Sequence, residues 1–144
     1  MEDKDIKNDE GCIFCKIVKG EIPSKKIYED ANVISFLDIA PANKGHCLVV
    51  PKNHYETMLD TPDVELELTI KKTKEIARAM SSALGNQGFN LVANNKKEAG
   101  QIVPHLHFHI IPRFANDRIK LSWPHKKYDG KEIDDFADKI KSFL

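Results

Sequence analysis

Pro104-His105-Leu106-His107-Phe108-His109-Ile110-Ile111-Pro112 is the stretch on which the reading of this chain turns. In an extended strand, side chains two apart share a face. His105, His107 and His109 then line one side, and Leu106, Phe108 and Ile110 line the other. The stretch holds three of the six histidines among 144 residues. Imidazole acts near neutral pH as base, acid, nucleophile or metal ligand. An apolar back face buried in a core would hold such a row rigidly, as a catalytic site needs.

Three readings of the row compete. The imidazoles could be scattered histidines satisfied by backbone partners. They could form a three-histidine metal site, but extended spacing sets the outer Cα atoms roughly 13 Å apart. Zinc–nitrogen bonds are only about 2.0–2.1 Å, so one ion would need a bulged or bent strand. In the third reading the middle imidazole is nucleophile or base and its neighbours orient it. The preceding loop, Ala99-Gly100-Gln101-Ile102-Val103, favours the third. Glycine permits close approach, and exposed backbone N–H groups make a seat for an anion. Phosphate beside a nucleophilic imidazole points to phosphoryl or nucleotidyl transfer.

Outward from this stretch, the chain reads as an α+β domain with an antiparallel sheet of about five strands and helices on one face. Residues 1–10 read as a polar flexible extension. Residues 11–144 form one domain, with a core over 11–114 and a tail and helix over 115–144. Ile27–Asp30 and Val33–Leu37 read as a hairpin, His46–Val50 as a strand and Phe89–Ala93 as another. Thr61 suits an N-cap, with Pro62 at the first helical position. Leu66, Ile70, Ala77, Met80 and Leu84 mark the buried stripe of that helix, which Gly85 ends. Ile133, Phe136, Ile140 and Phe143 mark a terminal amphipathic helix.

Lys plus Arg number 22 and Asp plus Glu number 22. Zero net charge argues against general attraction to nucleic acid or membrane surfaces. No apolar run approaches a transmembrane length, and the first ten residues lack an apolar signal core. Cys12, Cys15 and Cys47 make an odd count without framework spacing, as expected for a cytoplasmic protein. Cys47 reads as core, and His125 receives no role.

The chain resembles the histidine-triad (HIT) superfamily, whose signature is His-x-His-x-His followed by two apolar residues. Further landmarks stand in family order: Cys12-Ile-Phe-Cys15, Gly20-Glu-Ile-Pro-Ser24, Phe36-Leu-Asp-Ile39, Gly45-His-Cys-Leu-Val-Val-Pro-Lys-Asn-His54, Asn94 and Gly100-Gln101. The resemblance covers roughly residues 11 to 114 and implies the Hint-like branch. Such enzymes cleave purine nucleoside 5′-monophosphoramidates and related nucleotidyl conjugates. By resemblance, His107 attacks the α-phosphorus and forms a nucleotidyl-histidine, His109 touches the phosphate, and His105 supports the row. Asp38 matches the ribose-binding acid, with Ile39 packing on the base. Asn94, Gly100, Gln101 and Ile102 match the phosphate-side loop, and His46 approaches the triad from the neighbouring strand. The family fold implies a homodimer with sheets joined across the interface. Many relatives carry Ser or Thr at the position of Ile102, so the preferred leaving group is open.

Cys12-x-x-Cys15 reads as a redox pair, as two buried cysteines or as half of a zinc site. The resemblance supplies His54 and His105 as the other ligands of a structural zinc. No catalytic metal is expected. A dinucleoside polyphosphate hydrolase and a nucleotide-binding module with vestigial activity are the alternative functions.

Overall fold

A computed structural model describes residues 6–144. The element order is α1 (Ile13–Val18), β1 (Lys26–Glu29), β2 (Val33–Leu37), β3 (Cys47–Pro51), α2 (Asp63–Leu84), β4 (Gly88–Val92), a 3-10 turn (Lys97–Ala99), β5 (Phe108–Arg113) and α3 (Glu132–Lys141). The strands form one antiparallel sheet in the order β1-β2-β3-β5-β4. The fold is the expected α+β one. Residues 1–5 of the expected flexible extension lie outside the described residues. Lys7, by contrast, pairs with Asn53 and His54 through its backbone.

Strict alternation on the central strands builds a core on each face. Val33, Cys47, Val49, Phe108 and Ile110 face α2, where Ile76, Ala77 and Met80 meet them. Ile34, Phe36, Leu48 and Val50 face the other way, against Phe14 and Ile17 of α1. Helices therefore cover both faces of the sheet, not one. The sequence does mark residues 12–18 as a short helix or knuckle, but its six helical residues show too little period to say which face of the sheet it covers.

Two details of α2 differ from expectation. Its N-cap is Pro62, and the Thr61 hydroxyl donates to the Thr57 carbonyl instead of capping the helix. Its buried stripe is Thr69, Thr73, Ile76, Ala77 and Met80, while Ile70 and Leu84 are exposed. Each threonine hydroxyl donates to the carbonyl four residues back, at 2.7 Å. That removes the cost of burying the oxygen and lets the methyl face pack. Gly85 ends the helix as expected, left-handed at φ 65°.

Gly45 precedes β3 at φ 100°, and a Cβ there would stand 2.5 Å from Leu84 Cδ1. The left-handed φ is what favours glycine there; the Leu84 side chain end, itself exposed, has room to move aside. This turn delivers His46 beside the histidine stretch. The histidine stretch is only partly a strand: β5 begins at Phe108, so His105 and His107 precede the regular pairing. His105 N–H donates to the Val103 carbonyl and Leu106 N–H to the Tyr55 carbonyl. The bend so formed separates His105 from its neighbours. The apolar back face is as expected, with Leu106, Phe108 and Ile110 all buried.

Candidate active site

The bend turns His105 toward the start of the chain. Cys12 caps α1, its sulfur accepting from the Cys15 N–H, and this places both thiols side by side. His54 follows β3 and approaches from the sheet. Cys12 Sγ lies 3.3 Å and Cys15 Sγ 3.6 Å from His105 Nδ1. Cys15 Sγ lies 3.4 Å from His54 Nδ1, and the two Nδ1 atoms are 3.2 Å apart. A tetrahedral zinc with ordinary bond lengths demands sulfur–nitrogen edges of about 3.5 Å and a nitrogen–nitrogen edge of about 3.3 Å. The four side chains fit an ion of that size.

The outer contacts agree with this fit. His105 Nε2 donates to the Pro51 carbonyl at 2.8 Å, which leaves Nδ1 with a lone pair for a metal. Burial pushes His105 down to about 4, so the ring is neutral. Burial also raises the Cys15 thiol to about 11, and a cation among the four groups would offset that cost.

His107 takes the opposite arrangement. Its Nδ1 donates to the His105 carbonyl at 2.7 Å. A carbonyl only accepts, so the proton sits on Nδ1 and the Nε2 lone pair is free. The Phe14 ring meets it edge-on, with centroids 5.0 Å apart. Burial lowers the His107 pKa, and the carbonyl bond only partly offsets this.

A second chain of partners assigns His109. The Ala42 N–H donates to His46 Nδ1 at 3.0 Å, so the His46 proton lies on Nε2. That Nε2–H meets His109 Nδ1 at 2.9 Å. Neutral His109 then carries its own proton on Nε2, as a donor. Burial first, then His107 and His46, push His109 down to about 4. Asp38 Oδ2 stands 3.7 Å from His46 Nε2. Asp38, His46 and His109 also converge closely enough to hold a metal. The 2.9 Å approach is a hydrogen bond with an assigned proton, however, and is shorter than a nitrogen–nitrogen edge around zinc.

His107 and His109 open onto a hollow of about 360 Å³, within the range of small-ligand sites. Asp38, Asn94 and Gly100 are part of its polar lining, and Ile13, Ile17, Ile22 and Phe36 of its apolar lining. Ile39 and Ile102 stand at its lip, 97% and 92% exposed. The sequence reading does not reach this apolar lining, although Ile13, Phe14 and Ile17 are its visible signal. Ser24 was also missed as a site residue. Its buried hydroxyl lines the hollow and has no partner among the described residues.

The loop at Gly100 differs in detail from a row of exposed amides. Gly100 N–H donates to the Lys97 carbonyl and Gln101 N–H to the Lys96 carbonyl. Ile102 N–H has no acceptor among the described residues. Gln101 does not line the hollow. Its side chain accepts from Lys96 N–H at 2.7 Å and donates to the Glu56 carbonyl at 2.6 Å. It braces Lys96, a non-glycine residue at φ 74° and ψ 162°, a strained conformation that neighbours must hold.

Comparison with known proteins decides the family. A HIT domain family model matches residues 19–116.

The chain belongs to the HIT family.

Among its HIT relatives, an uncharacterized HIT-like protein of Methanocaldococcus jannaschii is 56% identical over 90% of this chain and 98% of that protein. An adenosine 5′-monophosphoramidase of Schizosaccharomyces pombe is 41% identical over 91% of this chain and 96% of its own. An adenylylsulfatase of Arabidopsis thaliana is 42% identical over 99% of this chain and 71% of its own. A HIT protein structure from Bacillus subtilis superposes with a TM-score of 0.88 at 38% identity, covering 94% of this chain and 98% of that one. A zinc-bound HIT protein from Mycobacterium smegmatis gives 0.74 at 38% identity, covering 81% and 84%.

Proposed function

We propose that this HIT protein is a hydrolase of purine nucleoside 5′-monophosphoramidates and related nucleotidyl conjugates, with a nucleotidyl-histidine intermediate on His107. The observation that carries the reading is the free Nε2 lone pair of a buried, neutral His107 facing the hollow. The names of the phosphoramidase and adenylylsulfatase relatives support it.

The base lies among Ile13, Ile17 and Ile22 with Ile39 over it, and the Ser24 hydroxyl offers it a hydrogen bond. Asp38 takes the ribose hydroxyls. Asn94, the Ile102 N–H and His109 surround the α-phosphate, while Gly100 and Gln101 shape the loop. His107 Nε2 attacks phosphorus. The P–N bond to the ring forms, the bond to the leaving group breaks, and the leaving group takes the proton from His109 Nε2. Water then attacks phosphorus and gives its proton to His109. The P–N bond breaks, and its electron pair returns to His107 as the nucleoside monophosphate leaves. Positioning and charge stabilisation supply most of what such a transfer needs.

Zinc held by Cys12, Cys15, His54 and His105 is structural in this reading, because four protein ligands close its shell. It ties α1 to the approach of β5. The enzyme works in the cytoplasm as one domain, with its core over 11–114. It is a homodimer with sheets joined across the interface through a second copy at β4, one of the two edge strands. No described helix is long and apolar enough to cross a membrane.

The test is AMP release from adenosine 5′-phosphoramidate by the wild type and His107→Ala, with acid-labile phosphohistidine sought by quenching in base. Release by the wild type alone, with a trapped intermediate, is expected. Turnover unchanged in His107→Ala would sink the reading. Parallel assays with adenylyl sulfate and diadenosine polyphosphates define the leaving group.

A further inference from the structure

We infer that residues 6–11 are a strap that closes the Cys12, Cys15, His54 and His105 centre and slows the escape of zinc from it. The inference rests on the zinc reading above and concerns a segment that reads in sequence only as a polar extension. Chain ends are ordered where something ties them down. Here the ties fall on two of the four ligand-bearing residues. The Lys7 carbonyl accepts the His54 N–H at 2.7 Å. The Asp9 N–H donates to Cys15 Sγ at 3.4 Å. Those two side chains meet each other, Cys15 Sγ to His54 Nδ1, at 3.4 Å. The strap therefore spans one edge of the centre.

That edge is where the centre is least protected. Cys12, Cys15 and His105 are buried, and His54 is only half-buried. Local opening starts where burial is least, and the main chain of His54 is what Lys7 holds. The thiols divide in the same way. Cys12 Sγ takes its backbone donor, the Cys15 N–H, from within the α1 turn. Cys15 Sγ takes its backbone donor from Asp9, outside the helix. His105 is held by the Pro51 carbonyl in the core. Without the strap, Cys15 and His54 lose their outer contacts while Cys12 and His105 keep theirs. Contacts of this kind change metal affinity by about 10- to 100-fold.

The strap docks on a fixed seat. The Lys7 N–H donates to Asn53 Oδ1 at 2.7 Å, and the Lys7 ammonium lies 4.7 Å from the centre of the Tyr55 ring. Asn53 and Tyr55 flank His54, and both side chains donate to Glu65 of α2. Ile6 is half-buried and lines a surface hollow with Val64 and Leu68 of the same helix. At the other end Asp9 turns the chain into α1. Its Oδ1 accepts the Gly11 N–H at 2.8 Å, and its carbonyl accepts the Cys12 N–H at 3.1 Å. Main-chain groups make most of these contacts, so a charged, polar sequence hides them.

The experiment follows zinc transfer from the zinc-loaded full chain to the chelator 4-(2-pyridylazo)resorcinol. Iodoacetamide labelling of Cys12 and Cys15, mapped by mass spectrometry, and hydrogen exchange of the core amides run beside it. Lys7→Pro removes the N–H that meets Asn53, and Asp9→Ala removes the acceptor of the turn. Lys7→Ala keeps every main-chain contact. Lys7→Pro and Asp9→Ala should release zinc about 10- to 100-fold faster than the wild type and expose both thiols sooner. Lys7→Ala should match the wild type, and core amides should stay protected in all four proteins. Equal release rates in all four would overturn the strap and leave the zinc reading standing. A wild type that takes up no zinc would overturn both. Lys7→Ala as fast as Lys7→Pro would assign the effect to the ammonium and overturn a main-chain strap. Faster release with lost core protection would show general destabilisation and overturn the inference.

Discussion

His105 and His107 are two residues apart, of one type and both buried, yet their rings point opposite nitrogens at opposite tasks. His105 donates from Nε2 to the Pro51 carbonyl and presents Nδ1 to two thiols and a second imidazole. His107 donates from Nδ1 to the His105 carbonyl and presents Nε2 to the hollow. The difference lies in which ring nitrogen meets a backbone oxygen. Residue type sets what an imidazole can do; the nearest carbonyl selects which of those things it does.

The largest test of this contrast is on the reactive side. His107→Ala is expected to lower the AMP-release kcat by about 10⁴-fold or more, with the unfolding midpoint little changed. His105 presents the mirror case. Cys15→Ala is expected to destabilise the fold by about 4 kcal/mol or more, on the scale of losing a metal clamp. Urea unfolding would measure this, and bound zinc per chain should fall from about one to near zero. Full stability with no metal in the wild type would break the comparison at this end.

An intermediate effect belongs to the partner that sets the third ring. His46→Ala frees His109 Nδ1, so the Nε2 proton is no longer assigned. A fall in kcat of about 10- to 100-fold, with KM nearly unchanged, is expected from steady-state kinetics. Gln101→Ala removes the brace on Lys96. A smaller loss, about 3- to 10-fold in kcat/KM, is expected as the loop relaxes.

The smallest effect is away from both ends, just after β5. The Arg113 guanidinium, helped by three further donors, holds the Asp117 carboxyl well below the usual carboxylate range. A lowered folded pKa adds stability above the unfolded value near about 3.9, lost as pH falls toward the folded value. Urea midpoints should therefore drop more steeply below about pH 4 in the wild type than in Asp117→Asn.

Much of this was legible because it is periodic or has a fixed chemical composition. The existence of β2 and β3, the left-handed Gly85 and the buried backing of Leu106, Phe108 and Ile110 follow from residue type and spacing. The Cys12–Cys15 and His54–His105 convergence came from resemblance, since the ligands span 93 residues along the chain. What stayed illegible depends on partners. Thr69 and Thr73 read as polar until their hydroxyls are seen bonded within the helix. The bend that takes His105 out of the strand depends on Val103 and Tyr55 carbonyls. The role of Gln101 as a brace depends on Glu56, 45 residues away.

The acceptor that orients His107 is a main-chain oxygen. Side-chain replacement at position 105 can remove the ring, but every amino acid brings the same carbonyl. The orientation of the His107 ring is therefore robust to codon changes at its own anchor and vulnerable to displacement of the chain there. A redesign that dispensed with the two thiols could keep that orientation, provided some other clamp held that single peptide unit in place.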